Sequence, residues 1–448
     1  MRIDRVSNDV AKIARKRIAE VVEGVLPSTP KDEVSPRARM RGAVPASKVA
    51  SSEGGTRIQG PLRDPKLAVK FLSGYEAGLK LDQATGQKRM DNAKESAHSF
   101  YRMYPSLYFQ DLQKDYQTLG TLADKPAPLT WIQGDCHIAN FGTVRGDKET
   151  LWGVNDYDSC QKSHPEFDLN RLATSMLLTN SSLDSSKVAH AILDGYRSAL
   201  EGIAKNGPKA CAGVRASKAQ GPVKKQLEKA EKLTQEKLLE EFANKSQTGL
   251  LRNSIIVDVQ PPLREELQLE LAKVLPANAQ LLDIAQKLDS GGSTLGLPRY
   301  YTLVQIGDEL PRIVEAKVML PLPTSKQPSQ LTDADERSIL KGMDSMGSLA
   351  SPLRGGFSCR GLHYLVRERE AEKSSIKPEK LDSDQLMTLA SEAGNALAKS
   401  HARSSEYAEQ MLKWMDSNPT VESNLAGFAQ RYSEQALADW KAWTQSSD

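Results

Sequence analysis

The chain has no run of about 18 apolar residues, so no membrane span is expected, and its N-terminus lacks the apolar segment of a secretory signal peptide. It has only four cysteines in 448 residues, Cys136, Cys160, Cys211 and Cys359, at wide and irregular intervals. That spacing suits free thiols in a reducing cytoplasm better than a disulfide framework. There is no excess of charge of one sign: 60 basic residues stand against 57 acidic ones, a net of +3, which makes no demand for a nucleic-acid partner. The expected location is cytoplasmic, with secretion lacking a classical signal peptide as the alternative. The length suits one large domain or two lobes with appendages.

The informative stretch is Gly134-Asp135-Cys136-His137-Ile138-Ala139-Asn140, followed by Trp152-Gly153-Val154-Asn155-Asp156-Tyr157-Asp158. Each half sits where a short apolar run, Ala127 to Ile132 or Leu151 to Val154, gives way to a loop, as strand ends do. An Asp, an Asn five residues later and a further Asp after an apolar run is the spacing with which phosphoryl-transfer sites place a proton acceptor and magnesium ligands. Asp135 is positioned to accept a hydrogen bond from an attacking hydroxyl. Asn140 offers a neutral oxygen and Asp156 a charged one, and magnesium takes few protein oxygens, the rest coming from phosphate and water. Taken singly, a Gly-Asp is a turn and an Asp-Tyr-Asp a solvated loop; the ordered pair is what points to chemistry.

A glycine-rich segment, Gly291-Gly292-Ser293-Thr294-Leu295-Gly296, precedes an expected hairpin: a strand from Pro298 to Ile306, a turn at Gly307-Asp308-Glu309, and a strand from Arg312 to Met319 carrying Lys317. Glycines let backbone amides approach phosphate oxygens, Ser293 and Thr294 add donors, and Lys317 supplies positive charge. The order is unusual, because Gly291 lies 151 residues after Asn140. A circular permutation explains it, since chain breaks at surface loops are tolerated.

With these motifs on the page, and with Ser99-Phe100-Tyr101-Arg102, Phe167-Asp168-Leu169-Asn170-Arg171-Leu172-Ala173, Tyr364-Leu365-Val366-Arg367 and Leu397-Ala398-Lys399-Ser400-His401-Ala402-Arg403, the chain resembles the bacterial domain-of-unknown-function 2252 family from about Ala97 to the C-terminus. That family resembles the aminoglycoside-phosphotransferase branch of the kinase-like fold. The resemblance implies an α+β, two-lobed protein-kinase-like fold, circularly permuted, with a large helical component. It implies Asp135 as catalytic base, Asn140 and Asp156 as metal ligands, and Gly292, Ser293, Thr294, Gly296 and Lys317 as ATP-binding residues. The cofactors would be ATP and Mg2+, and the acceptor an unidentified hydroxyl of a small molecule or protein. A nucleotide-binding, pseudokinase-like regulator and transfer of AMP are the alternatives.

Supporting roles fall to His137 and Asp158 in the acidic loops, and to Arg367 facing phosphate or a carboxylate. Asp168 is read as a brace for the catalytic loop or a helix cap, and Glu336 as the helix glutamate that would clamp Lys317. A zinc site from Cys136, His137, Cys160 and His164 is a further alternative, since thiolate and imidazole suit that ion. Residues 1–60 hold 12 Lys/Arg and 7 Asp/Glu and read as a flexible basic tail, with a short amphipathic stretch at 5–24. Residues 61–125 are expected to be helical, 126–206 to carry the catalytic loop, 207–275 to form a helical insertion with an exposed amphipathic helix over Val223–Ala243, 276–375 to form the small β-rich lobe, and 376–448 to return to helices.

Overall fold

The computed structural model describes residues 63–113, 120–146, 148–209, 213–288, 291–320, 328–347, 351 and 353–446. The basic tail, its amphipathic stretch and Cys211 lie outside these residues. The described chain begins with four short helices, α1 (Pro65–Gly78), α2 (Gln83–Lys94), α3 (Ala97–Met103) and α4 (Pro105–Gln113). Asp64, Asp82 and Ser96 cap the first three by accepting from backbone N–H groups of the first turn. Pro105, which has no N–H to give, separates α3 from α4 and starts the latter. The Arg63 guanidinium anchors this segment, with Nε 2.8 Å from Asp111 and Nη2 2.6 Å from Asp439 near the other end of the chain.

Next come β1 (Thr130–Ile132), the hairpin of β2 (Phe141–Arg145) and β3 (Thr150–Val154), and β4 (Gln161–Ser163), which returns antiparallel to β1. Helices α5 (Glu166–Thr179) and α6 (Ser185–Asn206) follow, then β5 (Val214–Arg215), α7 (Gly221–Ala230), α8 (Gln235–Phe242), β6 (Ile256–Asp258) and α9 (Leu263–Val274). The remaining elements are β7 (Ala279–Lys287), β8 (Arg299–Ile306), β9 (Arg312–Val318), α10 (Asp333–Met346), β10 (Arg354–Cys359), β11 (Leu362–Glu368), α11 (Ser383–His401), α12 (Ser405–Ser417) and α13 (Val421–Gln445).

The molecule is thus α+β with antiparallel sheets. Its main sheet has six strands in the order β10-β11-β9-β8-β7-β6. Alternation along β8 and β9 sends Tyr300, Val304, Val314 and Ala316 to one face, where Leu267 and Leu271 of α9 cover them. The other face is half apolar: Tyr301, Leu303 and Ile313 take Leu239 and Phe242 of α8. The larger core is helical. Val188, Ile192 and Tyr196 recur every four residues on α6 and meet Leu169, Leu172 and Met176 of α5 and Leu389, Ala393 and Leu397 of α11, all buried. Each such aliphatic side chain contributes about 1.5–3 kcal/mol by leaving water.

Two expectations need correction. The run Val223–Ala243 is two helices, because Thr234 restarts the chain as a cap that accepts from Lys237 N–H. Neither is merely exposed: Val223 and Leu227 of α7 join the helical core, while Leu238, Leu239 and Phe242 of α8 seal the sheet. The segment expected as a helical insertion also contributes β6, an edge strand of the main sheet. The expected hairpin is present as β8 and β9, with Arg299 opposite Lys317 in register.

Candidate active site

At the end of β1 the backbone turns through Gly134, whose φ is +86°. A Cβ there would lie 2.3 Å from the Ser159 carbonyl oxygen, so only glycine fits. The turn is held from beneath by Asp168, in the first turn of α5, which accepts from Gln133 N–H at 2.6 Å and Gly134 N–H at 3.0 Å. His401 Nε2 lies 3.1 Å from the same carboxylate, and Tyr196 Oη lies 2.9 Å from His401 Nδ1. Asp168 is thus a buried brace. Beyond the turn, Asn140 donates its side-chain NH2 to the Asp135 carbonyl at 2.9 Å, which turns the amide nitrogen away and leaves its oxygen as the group able to accept. His137 orders the loop through its backbone, giving its N–H to the Asp135 carbonyl at 2.8 Å and accepting from Asn140 N–H at 2.8 Å. Among the described residues Nδ1 of its ring has no hydrogen-bond partner. Burial pushes the imidazole well below its usual range, so it is neutral.

The Asp135 carboxylate is paired with Arg171, whose Nε lies 2.7 Å from Oδ1. Arg171 is fully buried, and its guanidinium stacks on Tyr101 at 4.3 Å and Tyr108 at 5.1 Å from the ring centres. Burial raises the Asp135 pKa, Arg171 opposes that, and the charges of Asp158 and Asp156 add to it, for a net rise to about 6.

The second acidic loop is joined to the first by Asn155 N–H, which donates to the Asn140 carbonyl at 3.1 Å, and by Gln133, whose side chain donates to the Asp156 carbonyl at 2.8 Å. Lys317 reaches in from β9. Its Nζ is 2.7 Å from Asp156 Oδ1 and 2.7 Å from Asp158 Oδ2. The two carboxylates respond oppositely. Burial works against the charge on Asp156, but Lys317 and Arg367 hold it well below the usual carboxylate range. Burial and the neighbouring Asp156 push Asp158 up in spite of Lys317. Arg367 on β11 gives Nη1 to the Asn155 carbonyl at 3.1 Å, and its Nη2 is 3.1 Å from Glu315. Glu315 is in turn 2.8 Å from Arg299 Nη1, and Arg299 Nη2 donates to the Thr294 hydroxyl at 2.8 Å.

One cavity of about 360 Å3 gathers these groups: Asp135, His137, Asn140, Asp156, Asp158, Lys317 and Arg367 line it together with Gly291, Gly292, Ser293 and Thr294. The glycine turn connects β7 to β8 and is pinned from behind by Arg89, which donates to the Ser293 carbonyl at 2.9 Å and the Leu295 carbonyl at 2.7 Å. Two sequence-stretch expectations do not land here. Gly296 is outside the cavity; at φ +82° it lets α2 approach, and a Cβ would lie 2.4 Å from Thr85 Cγ2. Glu336 does not clamp Lys317; its Oε2 lies 2.6 Å from His363 Nδ1, so the carboxylate partner of Lys317 comes from the acidic loop instead. The cavity also contains Arg102, Asn155, Arg299, Arg369 and Lys373, which motif reading missed. Arg102 and Asn155 lay inside quoted motifs without a role, Arg299 sat opposite Lys317 in the hairpin, and Arg369 and Lys373 had no local signal.

The oxygens of Asn140, Asp156 and Asp158 are the hard donors magnesium prefers, and one or two carboxylates are its usual protein share. Zinc finds no such set. Cys160 Sγ rests 3.7 Å from Met346 Sδ, His164 Nδ1 is 2.7 Å from the Ala127 carbonyl, and among the described residues no three His, Cys, Asp or Glu side chains converge on one ion position. Cys136, Cys160 and Cys359 are free and buried, and no described helix is long and apolar enough to cross a membrane.

No curated protein and no solved structure matches the chain. A family model does, over residues 82–446, the span that holds every element of this cavity. The chain therefore belongs to the family described as uncharacterized protein conserved in bacteria (DUF2252).

Proposed function

We propose that the chain is an ATP- and magnesium-dependent phosphotransferase of the kinase-like superfamily, circularly permuted, acting on a hydroxyl of a small molecule or protein. The observation that carries this reading is the approach of Lys317 to Asp156 and Asp158, 2.7 Å from each, in the cavity that also holds Asp135, Asn140 and the glycine turn. The topology supports it. The glycine turn joins two strands, the lysine is on the third, and helix α10 comes next, the order in which kinases arrange these parts.

In this reading Asn140 and Asp156 hold magnesium, which when bound neutralises charge on the phosphate oxygens. Lys317, now held by carboxylates, exchanges part of that contact for phosphate. Backbone N–H groups of the glycine turn add donors. The acceptor hydroxyl gives its proton to Asp135 as its oxygen bonds to the γ-phosphorus, and the bond to the β-phosphate bridge breaks. The protein's contribution is position and charge.

A second reading has its own observation. Arg171 occupies one acceptor oxygen of Asp135, its Nε 2.7 Å from Oδ1, which favours a nucleotide-binding regulator over a fast kinase. Incubation of the purified chain with γ-labelled ATP and magnesium separates the two. The enzyme reading expects magnesium-dependent release or transfer of the label that Asp135→Asn abolishes. Saturable ATP binding with no consumption, and no AMP transfer from α-labelled ATP, would replace it with the regulator.

A further inference from the structure

Six cationic side chains line the cavity: Arg102, Arg299, Lys317, Arg367, Arg369 and Lys373. Three carboxylates face them, Asp135, Asp156 and Asp158. Among the described residues Ala139 and the glycines are the only apolar members of the lining, which contains no Phe, Tyr or Trp ring. A site that reads a purine supplies flat apolar surface to the faces of the ring and a few polar groups to its edge. This cavity supplies charge and hydroxyls instead.

The sheet face beside it is already filled. Glu315 precedes Lys317 by two residues and so shares its face of β9. It lies between Arg299 at 2.8 Å and Arg367 at 3.1 Å, and a ring sliding under the strand there would have to part both ion pairs. Farther along, Phe242 of α8 and Tyr301 enclose the Arg369 guanidinium, 4.7 and 5.7 Å from their ring centres. The neighbouring cavity on the other side of Arg367 does have apolar walls in Met343, Leu353 and Leu365, but its volume of about 50 Å3 holds a few waters, not a bicyclic base.

We infer that the donor is recognised through its phosphates and not its base, so that the cleft accepts inorganic tripolyphosphate as readily as a nucleoside triphosphate. The inference rests on the donor-site reading and narrows it. Guanidinium forks match phosphate oxygens in pairs, and a surplus of positive charge, six groups against the three lining carboxylates and the Glu315 held between Arg299 and Arg367, suits the net negative charge of a magnesium-bound triphosphate chain. The base then projects from the cleft and adds little to affinity.

Calorimetric titration of the wild-type chain with the magnesium salts of ATP, GTP and tripolyphosphate, and with adenosine, tests this. The three phosphate ligands should bind within about threefold of one another, and adenosine should not bind at millimolar concentration. Saturation with tripolyphosphate should remove the ATP isotherm. An ATP affinity more than about tenfold above those of GTP and tripolyphosphate, or an ATP isotherm that survives tripolyphosphate, would overturn the inference and leave the donor site standing. Absence of magnesium-dependent binding by all three would overturn both.

Discussion

Lys317 and Asp156 are 161 positions apart in the chain and 2.7 Å apart between Nζ and Oδ1. The ammonium side chain is only 3% exposed, so its charge is satisfied by Asp156 and Asp158 and not by water. In the proposed donor site, a buried lysine held in this way would trade a carboxylate for phosphate when a metal takes over the carboxylate's charge.

Replacement Asp156→Ala removes the one loop carboxylate that Lys317 and Arg367 both hold ionised. Lys317 keeps Asp158, so the fold persists. The expected outcome is loss of the magnesium-dependent part of the ATP-induced rise in melting temperature. A full magnesium-dependent rise in this variant would remove Asp156 from metal binding.

Asp135→Asn keeps an oxygen for the Arg171 hydrogen bond but no counter-charge for a fully buried guanidinium. Turnover should fall by about 10²- to 10⁴-fold, the usual worth of a positioned base. Stability should change little in chemical denaturation, because a carboxyl whose folded pKa is raised to about 6 is already favoured in its neutral form by the fold, and ATP affinity changes little. Turnover near that of the wild type would take the base role from Asp135.

The pH profile follows from the same carboxylate. Burial raises its pKa from an ordinary 3.8 to about 6, and only the ionised form accepts a proton, so turnover should drop as pH falls through about 6. The stability sign is opposite. A carboxyl whose folded pKa exceeds its unfolded one favours the folded state fully below pH 3.8, and that contribution is lost as pH rises through about 6. An activity limb near pH 4, where unperturbed carboxylates titrate, would contradict the assignment.

Asp168→Asn should separate bracing from metal binding. One carboxylate oxygen receives Gln133 N–H and the other Gly134 N–H, and an amide offers a single acceptor oxygen. Stability should fall by about 1–3 kcal/mol, the cost of a buried donor left unsatisfied, with magnesium affinity in ATP titrations unchanged. A selective loss of magnesium affinity at wild-type melting temperature would make Asp168 a ligand.

Gly134→Ala places a methyl group on a residue at φ +86° and against the Ser159 carbonyl. The left-handed backbone alone costs about 1–2 kcal/mol, and the contact adds to it. Thermal unfolding should show a clear loss of stability, and a variant as stable as the wild type would mean that this turn rearranges freely.

Much of the candidate site was legible because its parts are local. The step from apolar run to Gly134-Asp135, the Asn140 spacing, the Asp156-Tyr157-Asp158 loop and the hairpin that presents Lys317 each occupy a short window, where period and turn residues report on the backbone directly. The break between α7 and α8 was missed because Leu233 and Thr234 interrupt a lysine- and glutamate-rich run without Gly or Pro, and a Thr cap is a weak signal beside the apolar rhythm.

From the sequence alone came the identities of the acidic residues, the lysine and the glycine turn, and their reversed order. Folding decided the partnerships: Arg171 behind Asp135, Asp158 beside Lys317, His363 on Glu336, α2 against Gly296 and the cations that crowd the cavity. A strand or turn is specified by neighbours along the chain, whereas an ion pair depends on which distant charge the packed backbone brings within a few ångströms. Spacing carries no record of that distance.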